Sequence, residues 1–211
     1  MSKLFPNGFY VNPFTALCFI LSLLIVSCAP EEEDIISPDD GIEKRHEAHV
    51  QFLVKTGFNR DEIVFENGQF IIDDDILISE EEVAGYMELE RTGASHGRTQ
   101  HYRGTYLVGD NYVTNIQFYI SSDVSSSWAS AIRQAIDQWN NVNGTRLFLS
   151  EVSSSGAANT VINTAYSNSN WVARAYLPSW RRRPGHMMTI NTRYNSLDSG
   201  RKLFTIVHEM G

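Results

Sequence analysis

The sequence predicts an α+β protein: a twisted mixed five-stranded sheet carrying two helices on one side, preceded by a small module that is also α+β. Three observations predict it. Residues 111–121, NYVTNIQFYIS, space Val113, Ile116, Phe118 and Ile120 as one face of a strand. Residues 126–144, SSWASAIRQAIDQWNNVNG, repeat Trp128, Ile132, Ala135, Ile136 and Trp139 at intervals of three and four, the period of a helix. Short strand-like runs then follow one another until a last amphipathic stretch. The element order is strand, helix, four strands, helix, and no internal repeat is visible.

Composition sets the bounds. Of 211 residues, 42% are hydrophobic and 20% charged, which is the balance of a globular chain rather than a disordered one. Charge is unevenly placed. Residues 28–100 carry 19 acids and 6 bases, a net of −13, whereas residues 101–211 carry 6 acids and 10 bases, a net of +4. Regions of opposite sign attract one another, although a solvated acidic leader beside a mildly basic domain gives the same count. The one basic run, Arg181-Arg182-Arg183, lies between Trp180 and Pro184 and reads as a turn, so nucleic acid is not an expected partner. The two cysteines, Cys18 and Cys28, fall outside the expected folded part and supply no disulfide framework there.

The elements follow in chain order. Phe14 to Val26 form an apolar run of 13 residues behind Lys3, too short to span a bilayer comfortably and suited to a secretory signal over residues 1–27. It ends in Ile25-Val26-Ser27-Cys28, which resembles a bacterial lipobox. The resemblance implies cleavage before Cys28, lipid attachment to Cys28, and a place in the bacterial cell envelope, anchored to the outer membrane or cell surface. A plain signal with an incidental cysteine would give a secreted protein instead. Residues 28–41, with the acidic and proline-bearing APEEEDIISPDD, read as a tether.

Residues 42–92 read as a compact module. Ala48, Phe52, Leu53 and Val54 have near-helical spacing, closed by Gly57. The segment EIVFENGQFII predicts two short strands about Asn67-Gly68. Ser79 and Glu82 form a capping box for a short helix. His46 and His49 sit at i and i+3 and read as solvent-facing, with metal binding as the alternative. An acidic module ahead of a basic domain also fits a propeptide. Asp73 to Asp75 read as an acidic turn closing the hairpin, the alternative being an aspartate that blocks a metal, as in some proenzymes. Residues 93–104 read as a linker suited to cleavage, with His96 and His101 exposed.

Residues 105–211 hold the main domain. After the first strand and its helix, capped by Ser126 or Ser127, come the strand runs RLFLSEV, NTVINTAYS, WVARAYLP and HMMTINTRY. Trp171, Tyr176 and Trp180 read as core, or as walls of a pocket. The last helix starts near Asp198 or Ser199, with Leu203, Phe204, Val207 and Met210 as its apolar stripe and Ile206 beside them. His208 and Glu209 follow. Zinc needs converging imidazoles about 2 Å away, and two histidines at i and i+4 of a helix supply them. A glutamate directly after the first can take a proton from a metal-bound water. A His-Glu pair alone is common, and RHEAHV earlier in the chain contains another.

Context adds a resemblance. The stretches GYMELERTG, YRGTYLV, AIRQAIDQWNNV, TINTRYN and TIVHEMG are similar to the dual-action HEIGH metallopeptidase family, metzincin-like bacterial zinc proteases, over roughly residues 45–211. The resemblance implies a zincin-like upper subdomain and hydrolysis of peptide bonds. It implies His208 as the first zinc ligand, Glu209 as the general base, and Gly211 as a glycine that lets the helix pack closely. It also implies Ala173, Arg174, Ala175 and Tyr176 as an edge strand that binds the backbone of a protein or peptide substrate. The sequence supplies H-E-x-x and stops one residue short of the second histidine. The expectation is therefore a chain truncated inside the motif and itself inactive, needing further zinc ligands. His186 reads as a strand-start residue rather than a substitute ligand. Two other readings stay open: a non-catalytic surface lipoprotein or binding module on the same scaffold, and a frameshifted remnant.

Overall fold

The computed structural model describes residues 38–93 and 106–211, with side chains from residue 42. The signal and its Cys18 and Cys28, almost all of the tether and linker, and His96 and His101 lie outside the described residues. Residues from Lys44 to Gly211 form one compact unit, which holds the sheet and both apolar cores.

Among the described residues, five α-helices and eight strands make an α+β arrangement. Helix α1 (Pro38–Lys55) precedes strands β1 (Ile63–Glu66), β2 (Gln69–Ile72) and β3 (Ile76–Ser79), and α2 (Glu80–Arg91) follows. Beyond the linker come α3 (Asp110–Val113), β4 (Ile116–Ile120), α4 (Ser126–Asn140), β5 (Leu149–Glu151), β6 (Thr160–Ala165), β7 (Ala173–Tyr176), β8 (Met187–Asn191) and α5 (Ser199–Met210). All eight strands form one mixed sheet in the order β1-β2-β3-β7-β8-β6-β4-β5.

The sheet thus has eight strands where the sequence suggests five. The reason lies in Ile76-Leu77-Ile78, an apolar run just ahead of a helix cap. It forms β3, antiparallel to β2 on one side and parallel to β7 on the other. Asn67 and Gly68 take φ of 53° and 79°, and Asp73 and Asp74 take 50° and 64°. Positive φ at both central residues is what tight hairpin turns require, so each pair folds the chain back on itself. Ser79 caps α2 as expected, its hydroxyl accepting from the Glu82 N–H at 3.2 Å.

Two apolar cores result. The larger packs α4 and α5 on the sheet through Trp128, Ile132, Ile162, Met188, Ile190 and Ile206. The smaller joins α1, α2 and the hairpin strands through Phe52, Leu53, Phe70, Ile78 and Val83. Helix α4 follows its predicted periodicity, although Ser125 stands at its N-cap, one residue before the expected positions. The stripe of α5 holds at Leu203, Val207 and Met210, which pack against the larger core, and fails at Phe204. Phe204 is 75% exposed, whereas Ile206 is fully buried and Lys202 is 3% exposed. Lys202 reaches inward, donating to Ser127 Oγ at 2.8 Å and Asn195 O at 2.7 Å, with its ammonium 5.3 Å from the Trp128 ring centre. A buried lysine with two acceptors and an aromatic face is satisfied.

Candidate metal centre

Helix α5 starts at Asp198, whose carboxylate accepts from the Arg201 N–H at 3.0 Å, so its register is fixed at the first turn. Ile206 buried at its middle then places His208 and Glu209 in the last turn. Close packing completes the position. Trp139 of α4 donates its indole N–H to Val207 O at 3.2 Å, and a Cβ on Gly211 would lie 2.4 Å from Trp139 Cζ2. The glycine is what admits the indole there.

Asp75 arrives from the other end of the chain. Its backbone carbonyl accepts from the Ala175 N–H at 3.0 Å, which pins it to β7. Its side chain then faces α5, with Oδ2 3.4 Å from His208 Nε2. Asp75, His208 and Glu209 each bring a ligand atom within 4.8 Å of the others, the one such group of three among the described residues. Donors about 2.0–2.1 Å from one tetrahedral zinc are spaced about 3.3 Å apart, so the Asp75–His208 separation fits two ligands of one ion. One imidazole and two carboxylates are a donor set that could hold a divalent cation, without selecting which one.

Burial dominates the electrostatics of the two carboxyls. Burial, and secondarily the Asp75 charge, pushes the Glu209 carboxyl up from its ordinary 4.5 to about 8. Burial also raises Asp75, against the pull of His208. A bound cation would reverse both. Beside Glu209 lies a cavity of about 260 Å³ whose walls include Phe118, Trp139, Ala175 and Met188. A larger cleft of about 360 Å³, near Tyr112, Trp180 and His186, contains none of the three candidate ligands.

The remaining candidate residues lie elsewhere. Ala173, Arg174, Ala175 and Tyr176 form β7, but β7 is no edge: β8 lies on one side and β3 on the other. Arg174 donates its Nε–H to Asp74 O at 2.6 Å and covers the Trp171 ring. Tyr176 stacks on His186, with ring centres 4.0 Å apart, and bonds to Gln69. His186 is exposed, paired with the Tyr176 ring, and is not part of the metal group. Trp171 is buried. Trp180 covers Gly85 of α2, where a Cβ would meet its Cδ1 at 2.2 Å. His46 and His49 are not solvent-facing. His46 packs on Phe65 with ring centres 3.9 Å apart, and His49 is 5% exposed with its Nδ1 unpartnered. Glu80 stands 3.7 Å and 3.8 Å from them and does not gather them into a metal group.

Sequence reasoning assigns Asp75 no firm role. The acidic turn is correct for Asp73 and Asp74, which carry the positive φ angles. Asp75 follows them and turns to α5. The signal is a third carboxylate where a two-residue turn needs two. No family model matches the chain, and no curated protein matches it. Among the described residues, no helix is long and apolar enough to cross a membrane.

Proposed function

We propose that this protein is a zinc-dependent metalloendopeptidase of the zincin type, with His208 as a metal ligand and Glu209 as the general base. The convergence of Asp75, His208 and Glu209 within 4.8 Å carries the reading. Zinc, when bound, supplies Lewis acidity and a water whose proton is easily removed. The protein's own groups do the rest. His208 offers Nε2 from a helix end fixed by Asp198 and Trp139. Glu209, half-buried, holds a proton at neutral pH and becomes a carboxylate base beside a cation. The β7 backbone is the strand along which an extended peptide would lie. Cys28 as a lipid anchor and the cell envelope as its location belong to the same proposal, supported by the sequence alone.

In this arrangement the centre has one imidazole and its strand is occupied. The 211-residue chain is therefore expected to bind zinc without cleaving peptides. Equilibrium dialysis with zinc, run beside a fluorogenic peptide assay, tests this. One zinc per chain, lost in His208→Ala, supports the reading. No bound zinc overturns it, and chelator-sensitive cleavage by this chain overturns the inactive state.

A further inference from the structure

We propose that the cleft between helix α2 and the turn at residues 179–183 binds a small zwitterion: a free amino acid, or a short peptide with free termini. The cleft contains none of the candidate metal ligands, so this assignment does not rest on the metal centre. The run Arg181-Arg182-Arg183, legible in the sequence only as a turn, supplies part of its lining.

The turn is held from several directions. The Arg182 N–H donates to Ser179 O at 2.7 Å, the Ser179 N–H to Arg183 O at 2.9 Å, and the Arg183 N–H to Ser179 Oγ at 3.2 Å. Arg182 takes φ of 61°, a conformation uncommon for residues other than glycine, and its carbonyl accepts from the Gly109 N–H at 2.7 Å. Arg181 lies over the Trp180 ring, 4.7 Å from its centre. Trp180 is itself fixed, packed on Gly85 and donating its backbone N–H to Glu82 at 2.7 Å. A guanidinium stacked on an indole keeps its N–H edge for an anion, with little conformational freedom left to lose.

The cleft measures about 360 Å³, within the range of small-molecule sites. Helix α2 lines it with Glu81 and Glu82, the turn with Arg181 and Arg183, and Tyr112 and Asn159 add a hydroxyl and an amide. Asn159 Oδ1 accepts from the Gln117 N–H at 2.8 Å, which leaves its NH2 for a ligand. The opposite charges do not cancel each other. Among the described residues, no ion pair joins these glutamates to these arginines, and neither arginine has another carboxylate partner. A cleft that carries both signs unpaired is complementary to a molecule with an ammonium and a carboxylate of its own. A purely anionic ligand would meet Glu81 and Glu82. A sugar is disfavoured too, because Trp180 is taken up by Gly85 and Arg181 rather than left free for stacking.

Isothermal titration calorimetry of the full chain, in chelator so that no metal takes part, tests the assignment with four probes. These are dialanine, free alanine, N-acetyl-dialanine without the ammonium, and dialanine amide without the carboxylate. Dialanine or alanine is expected to bind with Kd below about 1 mM, and the tighter of the two tells peptide from amino acid. Both blocked forms should bind at least tenfold more weakly than dialanine. Arg181→Gln combined with Arg183→Gln should weaken the zwitterion at least tenfold. Glu81→Gln should weaken dialanine but not N-acetyl-dialanine, and carries the test if the arginine variant fails to fold. All three side chains belong to exposed residues, and circular dichroism checks that each variant is folded. Binding of neither zwitterion overturns the proposal. So does N-acetyl-dialanine binding as tightly as dialanine, which would make this an anion site only, or wild-type affinity in the folded variants.

Discussion

Asp75 Oδ2 stands 3.4 Å from His208 Nε2, joining the turn ahead of β3 to the last turn of α5. Hairpin and helix are remote in sequence, and only the shared sheet brings them together. Their spacing is that of two ligands on one small cation as much as that of a long ion pair.

A ligand that binds only the folded state raises stability, by about 2.7 kcal/mol at a free concentration one hundred times its dissociation constant. Zinc should therefore raise the melting temperature of the wild-type chain, and by much less in His208→Ala. Thermal unfolding followed by circular dichroism, with and without zinc, checks this. Equal shifts in both proteins would place the zinc elsewhere.

Helix α5 offers a paired test of its face. Ile206 is fully buried, so Ile206→Ala should cost about 2–5 kcal/mol. Phe204 is 75% exposed, and Phe204→Ala should stay within about 0.5 kcal/mol. Urea unfolding of the two variants decides; the reverse order would put Phe204 rather than Ile206 on the packed face.

Gly85 lies beneath Trp180, with 2.2 Å between an added Cβ and the indole Cδ1. Gly85→Ala must push the indole away, at a cost of about 1–3 kcal/mol despite the better helix propensity of alanine. The near-ultraviolet dichroism of the tryptophans should change with it. An unchanged spectrum and unchanged stability would show that the two elements do not pack this way.

Half-buried Glu209 and buried His49 give the metal-free chain opposite pH slopes. Glu209 is raised from 4.5 to about 8, so the folded chain holds a proton there that the unfolded chain has released. Its contribution is intact below pH 4.5 and is lost as pH rises towards 8. His49 is lowered from its ordinary 6.5, by burial first and against the pull of Glu80. Its contribution is intact above pH 6.5 and is lost as pH falls below that value. Melting temperatures across pH should lose the alkaline slope in Glu209→Gln and the acid slope in His49→Phe. Retention of both slopes would assign them to other groups.

Much of the fold is legible in the sequence because local patterns carry it. The period of α4, the Asn67-Gly68 turn and the Ser79 cap each need only neighbours in sequence. The joining of the two regions is not legible. Ile76-Leu77-Ile78 has no alternation, since the successive Leu77 and Ile78 point to opposite faces of the sheet and both are buried, and its run merges into a helix cap. The inward turn of Lys202 depends on acceptors from Ser127 and Asn195, which no local pattern shows. At the candidate site, His208 and Glu209 stand out as a pair on a helix. Asp75 is hidden inside a run of three acids, two of which serve the turn.

The most direct measurement of the central claim is zinc-edge X-ray absorption of the full chain loaded with one equivalent of zinc. The expected spectrum shows one imidazole with oxygen ligands at about 2.0–2.1 Å, and the imidazole contribution disappears in His208→Ala. A zinc sphere without imidazole, or one unchanged by that substitution, would contradict it.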